Sequence, residues 1–127
     1  ASRVLVSSTN SAGHQYALSL HDASGTELQK FDFLTLPEKC AWIDKKEFYC
    51  AVPNAFPDKA VMPDDYLRGS IATQDHIISF NLDTQNLALV FSGGAMSMAN
   101  LTVTAKKDYL MFVNTTDGIL WLLKLTQ

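Results

Sequence analysis

The sequence lacks the features that mark several large protein classes. Among its 127 residues, no apolar run approaches the roughly 20 residues that a membrane-spanning helix requires. It has 10 basic and 13 acidic residues, for a net charge of −3, and the basic residues are scattered along the chain. Such a distribution does not provide the positive surface that phosphate backbones require. We therefore expect no transmembrane segment in this chain and no nucleic-acid partner.

Catalytic and cofactor motifs are also missing. The run 92–97 reads Ser-Gly-Gly-Ala-Met-Ser, which is neither a Gly-x-Ser-x-Gly nucleophile turn nor a phosphate loop with its lysine. His14, His21 and His76 stand alone in separate strand-like segments, where a histidine is more often packed or on the surface than a catalytic base. The two cysteines have no second Cys or His pair at metal-ligand spacing. The sequence thus predicts no catalytic residues, no metal site and no cofactor.

What the sequence does contain is alternation. Large apolar residues occupy every second position in 15–20 and in 76–82, which is the period of a strand with one buried face. The runs 109–113 and 119–123 are apolar on both faces and indicate strands that are covered on both sides. A hairpin signal rich in Asn, Asp and Gly separates these two runs. We expect an all-β chain with no helix longer than about two turns.

The strand chemistry also repeats along the chain. Lys-Lys-acid-aromatic recurs in register when 42–52 is placed over 103–113. The segment 13–20 matches 118–125 in the same way, and 78–82 is a third copy. Four strand types, A to D, follow from these matches. Their predicted order is B (about 3–8), C (14–20), D (27–33), A (38–43), B (47–52), C (75–82), D (87–91), A (98–104), B (108–114) and C (118–125).

Repeated four-stranded units are typical of β-propellers. The sequence therefore predicts that residues 1–127 form a single all-β segment, a β-propeller segment of about two and a half four-stranded antiparallel blades in the order BCD-ABCD-ABC. A β-sandwich is the alternative, because its strands also alternate, although a sandwich does not require the strand chemistry to recur in register. Closed propellers contain about four to eight blades, so we expect the remainder of a larger propeller, or further copies of the chain, to complete the ring.

One hairpin resembles a known repeat. The segment 42–48, Trp-Ile-Asp-Lys-Lys-Glu-Phe, resembles the W-S-P-D-G-K-Y turn of the TolB-like (PD40 or WD40-like) propeller repeat, and 105–108 is a weaker copy. Both copies lack the Pro and Gly of that motif. The stretches 39–42, 49–53 and 63–66 are similar to a group of exported bacterial propeller proteins of unassigned function. The resemblance implies a propeller fold and a location that is extracellular, periplasmic or in the cell envelope, but it does not imply an activity.

Cys40 and Cys50 are predicted to face each other across a hairpin. If residues 44–46 form its loop, the two cysteines are direct neighbours on adjacent strands and lie within disulfide reach. A bridge there would stabilise the fold by up to ~3 kcal/mol and would imply an oxidising compartment. The alternative is a pair of buried free thiols, which a slip of one residue in the register would produce.

The connection 53–74 is much longer than the usual hairpin loop of about two to five residues. Its Asp64, Asp65, Tyr66 and Arg68 have the composition of a binding hot spot, and we predict that they bind a partner. The B–C and D–A connections of a propeller share one face, so this loop should lie beside the 92–97 connection. The alternative is a lid that packs on its own blade, with Asp65 and Arg68 as a solvated pair of little energetic value.

Two functions are consistent with these features. The first is a non-catalytic scaffold or binding segment of an exported or cell-envelope protein, which recognises a protein or peptide partner through its loop face. The second is the non-catalytic propeller domain of a serine peptidase whose active site lies outside this chain. A downstream Gly-x-Ser-x-Gly within an α/β pattern would favour the peptidase, whereas a signal or lipoprotein segment without a second domain would favour the scaffold.

Overall fold

The computed structural model describes residues 3–8, 17–54, 74–92 and 96–125. These residues confirm the all-β prediction, since they contain β-strands and a single 3₁₀ turn at Pro37–Lys39 but no α-helix. No helix in these ranges is long and apolar enough to cross a membrane. The strands are β1 (Arg3–Ser8), β2 (Ala17–Asp22), β3 (Glu27–Lys30), β4 (Cys40–Trp42), β5 (Glu47–Pro53), β6 (Asp75–Asn81), β7 (Asn86–Ser92), β8 (Met98–Val103), β9 (Tyr109–Asn114) and β10 (Ile119–Lys124).

The described strands form three antiparallel sheets, in the orders β1-β2-β3, β4-β5-β6-β7 and β8-β9-β10. Within each sheet, every strand pairs with the next strand along the chain, as is common for antiparallel neighbours. Sheets of three, four and three strands match the predicted sequence of strand types. None of these three sheets closes on itself.

The chain divides into two compact units, of which the first contains β1, β2 and β3. The alternation in β2 places Leu18 and Leu20 on one face of its sheet, and both side chains are buried. Leu5 of β1 pairs with Leu20 and is buried as well. The apolar positions that predicted this strand are therefore the ones that build the core of its sheet.

The second unit contains β4 to β10. Its core forms where the four-stranded sheet packs against the β8-β9-β10 sheet. Leu110 and Phe112 of β9 are two positions apart and therefore share the face that meets the other sheet. Met98 and Leu101 of β8 are three positions apart and share this core because the β8–β9 register shifts between them. The buried members of this core are Ala51, Ile77, Met98, Leu101, Leu110, Phe112 and Leu125.

The two matching hairpins of this unit differ by one residue in their loops. In the β4–β5 hairpin, the amide of Ile43 donates to the carbonyl of Glu47, which leaves a loop of 44–46. In the β8–β9 hairpin, the amide of Thr104 donates to the carbonyl of Tyr109, which leaves a loop of 105–108. The sequence match of 42–52 with 103–113 is therefore wrong by one residue in its second strand. By cross-strand pairing, the counterpart of Phe48 is Leu110.

Candidate functional site

A buried ion pair lies where the two sheets of the second unit meet. Lys39, immediately before β4, places its Nζ 2.5 Å from Oδ2 of Asp75, the first residue of β6. The same Nζ donates to the carbonyl of Met98, the first residue of β8, at 2.5 Å. The amide of Met98 in turn donates to Asp75 Oδ2 at 2.7 Å. We call Lys39, Asp75 and the backbone of Met98 the anchor, since together they fix the starts of three strands.

The anchor is shielded from solvent. The Lys39 side chain is completely buried, as is that of Asp75. Burial lowers the pKa of Lys39 from its ordinary value, while the charge and hydrogen bond of Asp75 act in the opposite direction. Asp75 Oδ1 is buried and has no hydrogen-bond partner. A buried charge of this kind is tolerated only with a close counter-charge, so each member of the pair depends on the other.

The anchor also lies at the base of the long connection. The amide of Asn54 donates to the carbonyl of Gln74 at 2.8 Å, which ties the two ends of the connection together. His76 Nδ1 lies 2.9 Å from Asn54 Oδ1, and the oxygen can only accept, so His76 donates. The amide of Asp75 donates to the carbonyl of Met96 at 2.8 Å. The ends of the long connection therefore lie beside the end of the 92–97 connection.

The four predicted binding residues, Asp64, Asp65, Tyr66 and Arg68, lie outside the described residues. What the structure places is the pair of chain ends that leads into and out of their segment, at Asn54 and Gln74. Their role in binding therefore stays a prediction.

The predicted disulfide between Cys40 and Cys50 is confirmed. The two residues are direct partners in the β4–β5 ladder, with their Cα atoms 4.0 Å apart. Because Ile43 and Glu47 are hydrogen-bonded, the alternation of the antiparallel ladder makes Cys40 and Cys50 a non-hydrogen-bonded pair, in which side chains approach most closely. The bridge is adjacent in sequence to Lys39 and holds the short strand β4 covalently to β5.

A second polar group ties β8 to the end of β9. Ser97 is completely buried, and its carbonyl accepts hydrogen bonds from the amide of Thr115 at 2.8 Å and from the Thr115 hydroxyl at 3.1 Å. Its amide donates to Asn114 Oδ1 at 3.3 Å. The backbone entering β8 is therefore fixed from both sides, by β9 here and by Asp75 at the neighbouring Met98.

The sequence treated His21 as an isolated histidine, whereas the structure pairs it with Ser19. The Ser19 hydroxyl lies 2.8 Å from His21 Nε2, and His21 Nδ1 lies 3.1 Å from the carbonyl of Gly25. A carbonyl only accepts, so Nδ1 donates to it, and in the neutral imidazole Nε2 then accepts from the hydroxyl. Residues i and i+2 of a strand share a face, so the spacing of Ser19 and His21 in β2 could have predicted that their side chains are neighbours. Ser19 is buried, so we interpret this pair as support for the 22–26 turn.

The anchor is the feature that sequence reasoning missed. Lys39 and Asp75 are 36 residues apart in the chain, and no local sequence pattern indicates that they pair. Among the described residues, no group of three or more His, Cys, Asp or Glu side chains could hold a metal ion. No protein-family model, curated protein or solved structure matches the chain. Its function is therefore inferred from its own residues.

Proposed function

We propose that this chain is a non-catalytic β-propeller segment that serves as a binding scaffold in an exported or cell-envelope protein. It recognises a protein or peptide partner through the face that carries the 53–74 connection. The observation that carries the proposal is the anchor, which fixes the start of β6, where the connection ends, beside the end of the 92–97 connection. The bond between Asn54 and Gln74 ties the beginning of the connection to the same place. Binding residues are commonly found on loops that a rigid scaffold positions.

The arrangement of the strands supports the propeller. The sheets are antiparallel meanders, and the first strands of neighbouring sheets, β4 and β8, contact each other. Blades arranged around an axis bring their innermost strands together in this way. With the corrected register, Phe48 and Leu110 are counterparts, as are Cys50 and Phe112, and all four side chains are buried. Equivalent positions in two consecutive sheets thus carry buried side chains, as a repeat requires.

The disulfide supports the location outside the cytosol. Bonds of this kind persist in oxidising compartments and are rare where thioredoxin and glutathione keep thiols reduced. Cys50 is completely buried, so the bridge is part of the core of its sheet. This agrees with an extracellular, periplasmic or envelope protein.

The test uses a displayed library of random peptides as the probe. Peptides selected on the wild-type chain should lose binding by a few kcal/mol when Tyr66 and Arg68 are both changed to Ala, as hot-spot residues do, while the melting temperature changes little. The matched control is Lys45→Ala with Lys106→Ala, two exposed residues in loops at the opposite end of the strands. Lost stability with unchanged affinity would instead identify the segment as a lid and refute the binding role.

A further inference from the structure

The short strand β4 is held at its start by two neighbouring residues. β4 has three residues, and among the described strands it pairs with β5 alone. Cys40, its first residue, is bridged to Cys50, and Lys39, immediately before it, belongs to the anchor. At the other end of the strand Trp42 packs edge-to-face on Phe48, with ring centroids 5.0 Å apart. The bridge and the anchor therefore hold the same end of the same strand.

The anchor depends on the position that the bridge gives to β4. Lys39 Nζ has to reach Asp75 Oδ2 and the carbonyl of Met98 at the same time, with its side chain completely buried. A buried ion pair is stable only when its geometry is close to ideal. The bridge fixes Cys40 against β5 and thereby restricts where the adjacent Lys39 can lie. Loss of the bridge should therefore weaken the anchor.

The bridge depends on the anchor in turn. When the two cysteines are reduced, the anchor keeps the start of β4 in place and holds the thiol of Cys40 close to that of Cys50. Two thiols that are held together form a disulfide more readily, because their effective concentration is raised. Such coupling is reciprocal, so the anchor stabilises the bridge by the same factor by which the bridge stabilises the anchor.

One sulfur of the bridge is open to exchange. Cys40 is half-buried, whereas Cys50 is completely buried. An external thiolate can therefore reach Cys40 Sγ, with Cys50 Sγ as the leaving group. The ladder also favours reduction, since directly opposite residues at a non-hydrogen-bonded position lie about 4.5 Å apart at Cα, close to the lower limit of about 4.4 Å for disulfides. Bridges away from their preferred span are reduced more easily.

We propose that the bridge between Cys40 and Cys50 is a redox switch that controls the anchor, and that its reductant is a protein dithiol. A thiolate of that dithiol attacks Cys40 Sγ, the bond between the two Sγ atoms breaks, and Cys50 Sγ leaves with the bonding electrons and takes up a proton. The second thiol of the reductant then attacks the mixed disulfide and releases Cys40 as a thiol. The chain gains two electrons and two protons, and the dithiol becomes a disulfide.

Reduction releases β4 at its start. Two ladder positions, at Ala41 and Trp42, then remain between β4 and β5. Lys39 is no longer fixed beside Asp75, and water takes the place of the counter-charge, because an unpaired charge is not tolerated in a dry core. β5 and β6 still pair over seven positions, so the sheet persists. The switch therefore opens one corner of the fold, at the start of β6, where the long connection ends.

The inference does not rest on the proposed binding function. It uses the bridge and the anchor, whereas the binding proposal uses the side chains of the 53–74 connection. A chain whose redox state controls the anchor but which selects no peptides would refute only the binding role. A chain that selects peptides while its anchor is indifferent to the redox state would refute only the switch.

The first experiment measures the equilibrium constant for reduction of the bridge by dithiothreitol. The folded 127-residue chain is equilibrated with reduced and oxidised dithiothreitol, and its free thiols are alkylated and counted by mass spectrometry. Lys39→Met should raise the constant by at least about tenfold, because it removes the ammonium group of the anchor. The matched control is Lys46→Met, whose pair with Asp83 is mostly exposed, and it should change the constant by less than about threefold. Circular dichroism checks that both variants keep their strands. Equal constants for Lys39→Met and the wild type would overturn the proposal.

The second experiment uses the wild type alone and compares amide hydrogen exchange by NMR in the oxidised and reduced chain. Reduction should speed exchange of the Met98 amide by at least about tenfold, because this amide donates to Asp75 Oδ2 in the anchor. The reference is the Thr104 amide, which donates to the carbonyl of Tyr109 at the far end of β8, and its rate should change by less than about threefold. An unchanged rate at Met98 would contradict the switch. Equal acceleration at both amides would show global unfolding in its place.

Discussion

Replacing Lys39 with Met is the most informative single change in this structure. It removes the ammonium group that lies 2.5 Å from Asp75 Oδ2, while the methionine side chain fills most of the space that the lysine methylene groups occupied. Asp75 then keeps its hydrogen bond from the Met98 amide but loses its counter-charge. Because both side chains are completely buried, water cannot replace the missing group without opening the seam between the sheets.

The expected cost follows from the number of interactions lost. Lys39 Nζ makes one hydrogen bond to a carboxylate and one to a carbonyl, and each charge-assisted bond has a net value of about 1.5–3 kcal/mol. Breaking a buried pair by removing one partner typically costs about 3–5 kcal/mol. The double variant Lys39→Met with Asp75→Asn removes both charges and keeps an acceptor for the Met98 amide. It should therefore be more stable than Lys39→Met alone by about 1–3 kcal/mol.

The assay is unfolding in guanidinium chloride at pH 7, monitored by circular dichroism. The slope of the unfolding free energy against denaturant concentration in the wild type is the reference for cooperativity. Lys46→Met is the matched control, because Lys46 Nζ lies 3.0 Å from Asp83 Oδ2 on a pair that is mostly exposed. Such a surface pair contributes at most about 1 kcal/mol. The reasoning is refuted if Lys39→Met costs no more than Lys46→Met, or if the double variant is no more stable than Lys39→Met.

Two further outcomes are expected. Changing Cys40 and Cys50 to Ala should lower the free energy of unfolding by about 2–3 kcal/mol, and the denatured, unreduced wild type should show no free thiol in a thiol count. Hydrogen bonds from the Ser24 hydroxyl and from nearby amides lower the pKa of Asp22. The stability that the ionised Asp22 carboxylate contributes should therefore be lost as the pH falls through that lowered pKa. An NMR titration should find the midpoint of Asp22 below about 3.9.

Most of the strands could be predicted because each is specified locally. Alternation in β2 and β6 and the apolar runs of β9 and β10 depend on residues a few positions apart, and the Asn- and Gly-containing turns separate them. The disulfide was predictable for the same reason, since a three-residue loop fixes which residues of the β4–β5 hairpin face each other. Grouping into sheets followed because consecutive antiparallel strands pair.

The parts that could not be predicted depend on single residues or on distant ones. One additional residue in the 105–108 loop, where Lys107 adopts a φ of 60°, shifts the register of β9 relative to its counterpart β5. The sequence match spanned this position without a gap and therefore missed the shift. The anchor joins Lys39 to Asp75 across 36 residues, and no local pattern identifies a lysine that will be buried. The prediction of a binding role for Asp64, Asp65, Tyr66 and Arg68 rests on the composition of their segment alone.

The tie between Asn54 and Gln74 has a practical consequence for protein engineering. β5 and β6 pair over seven consecutive positions, and their ends are joined again by the Asn54–Gln74 bond. The connection between them is therefore not needed to hold the two strands in register. New chain termini opened within it, or a foreign peptide inserted there, should leave the sheet intact. The position is therefore a suitable site for displaying a chosen sequence on this scaffold.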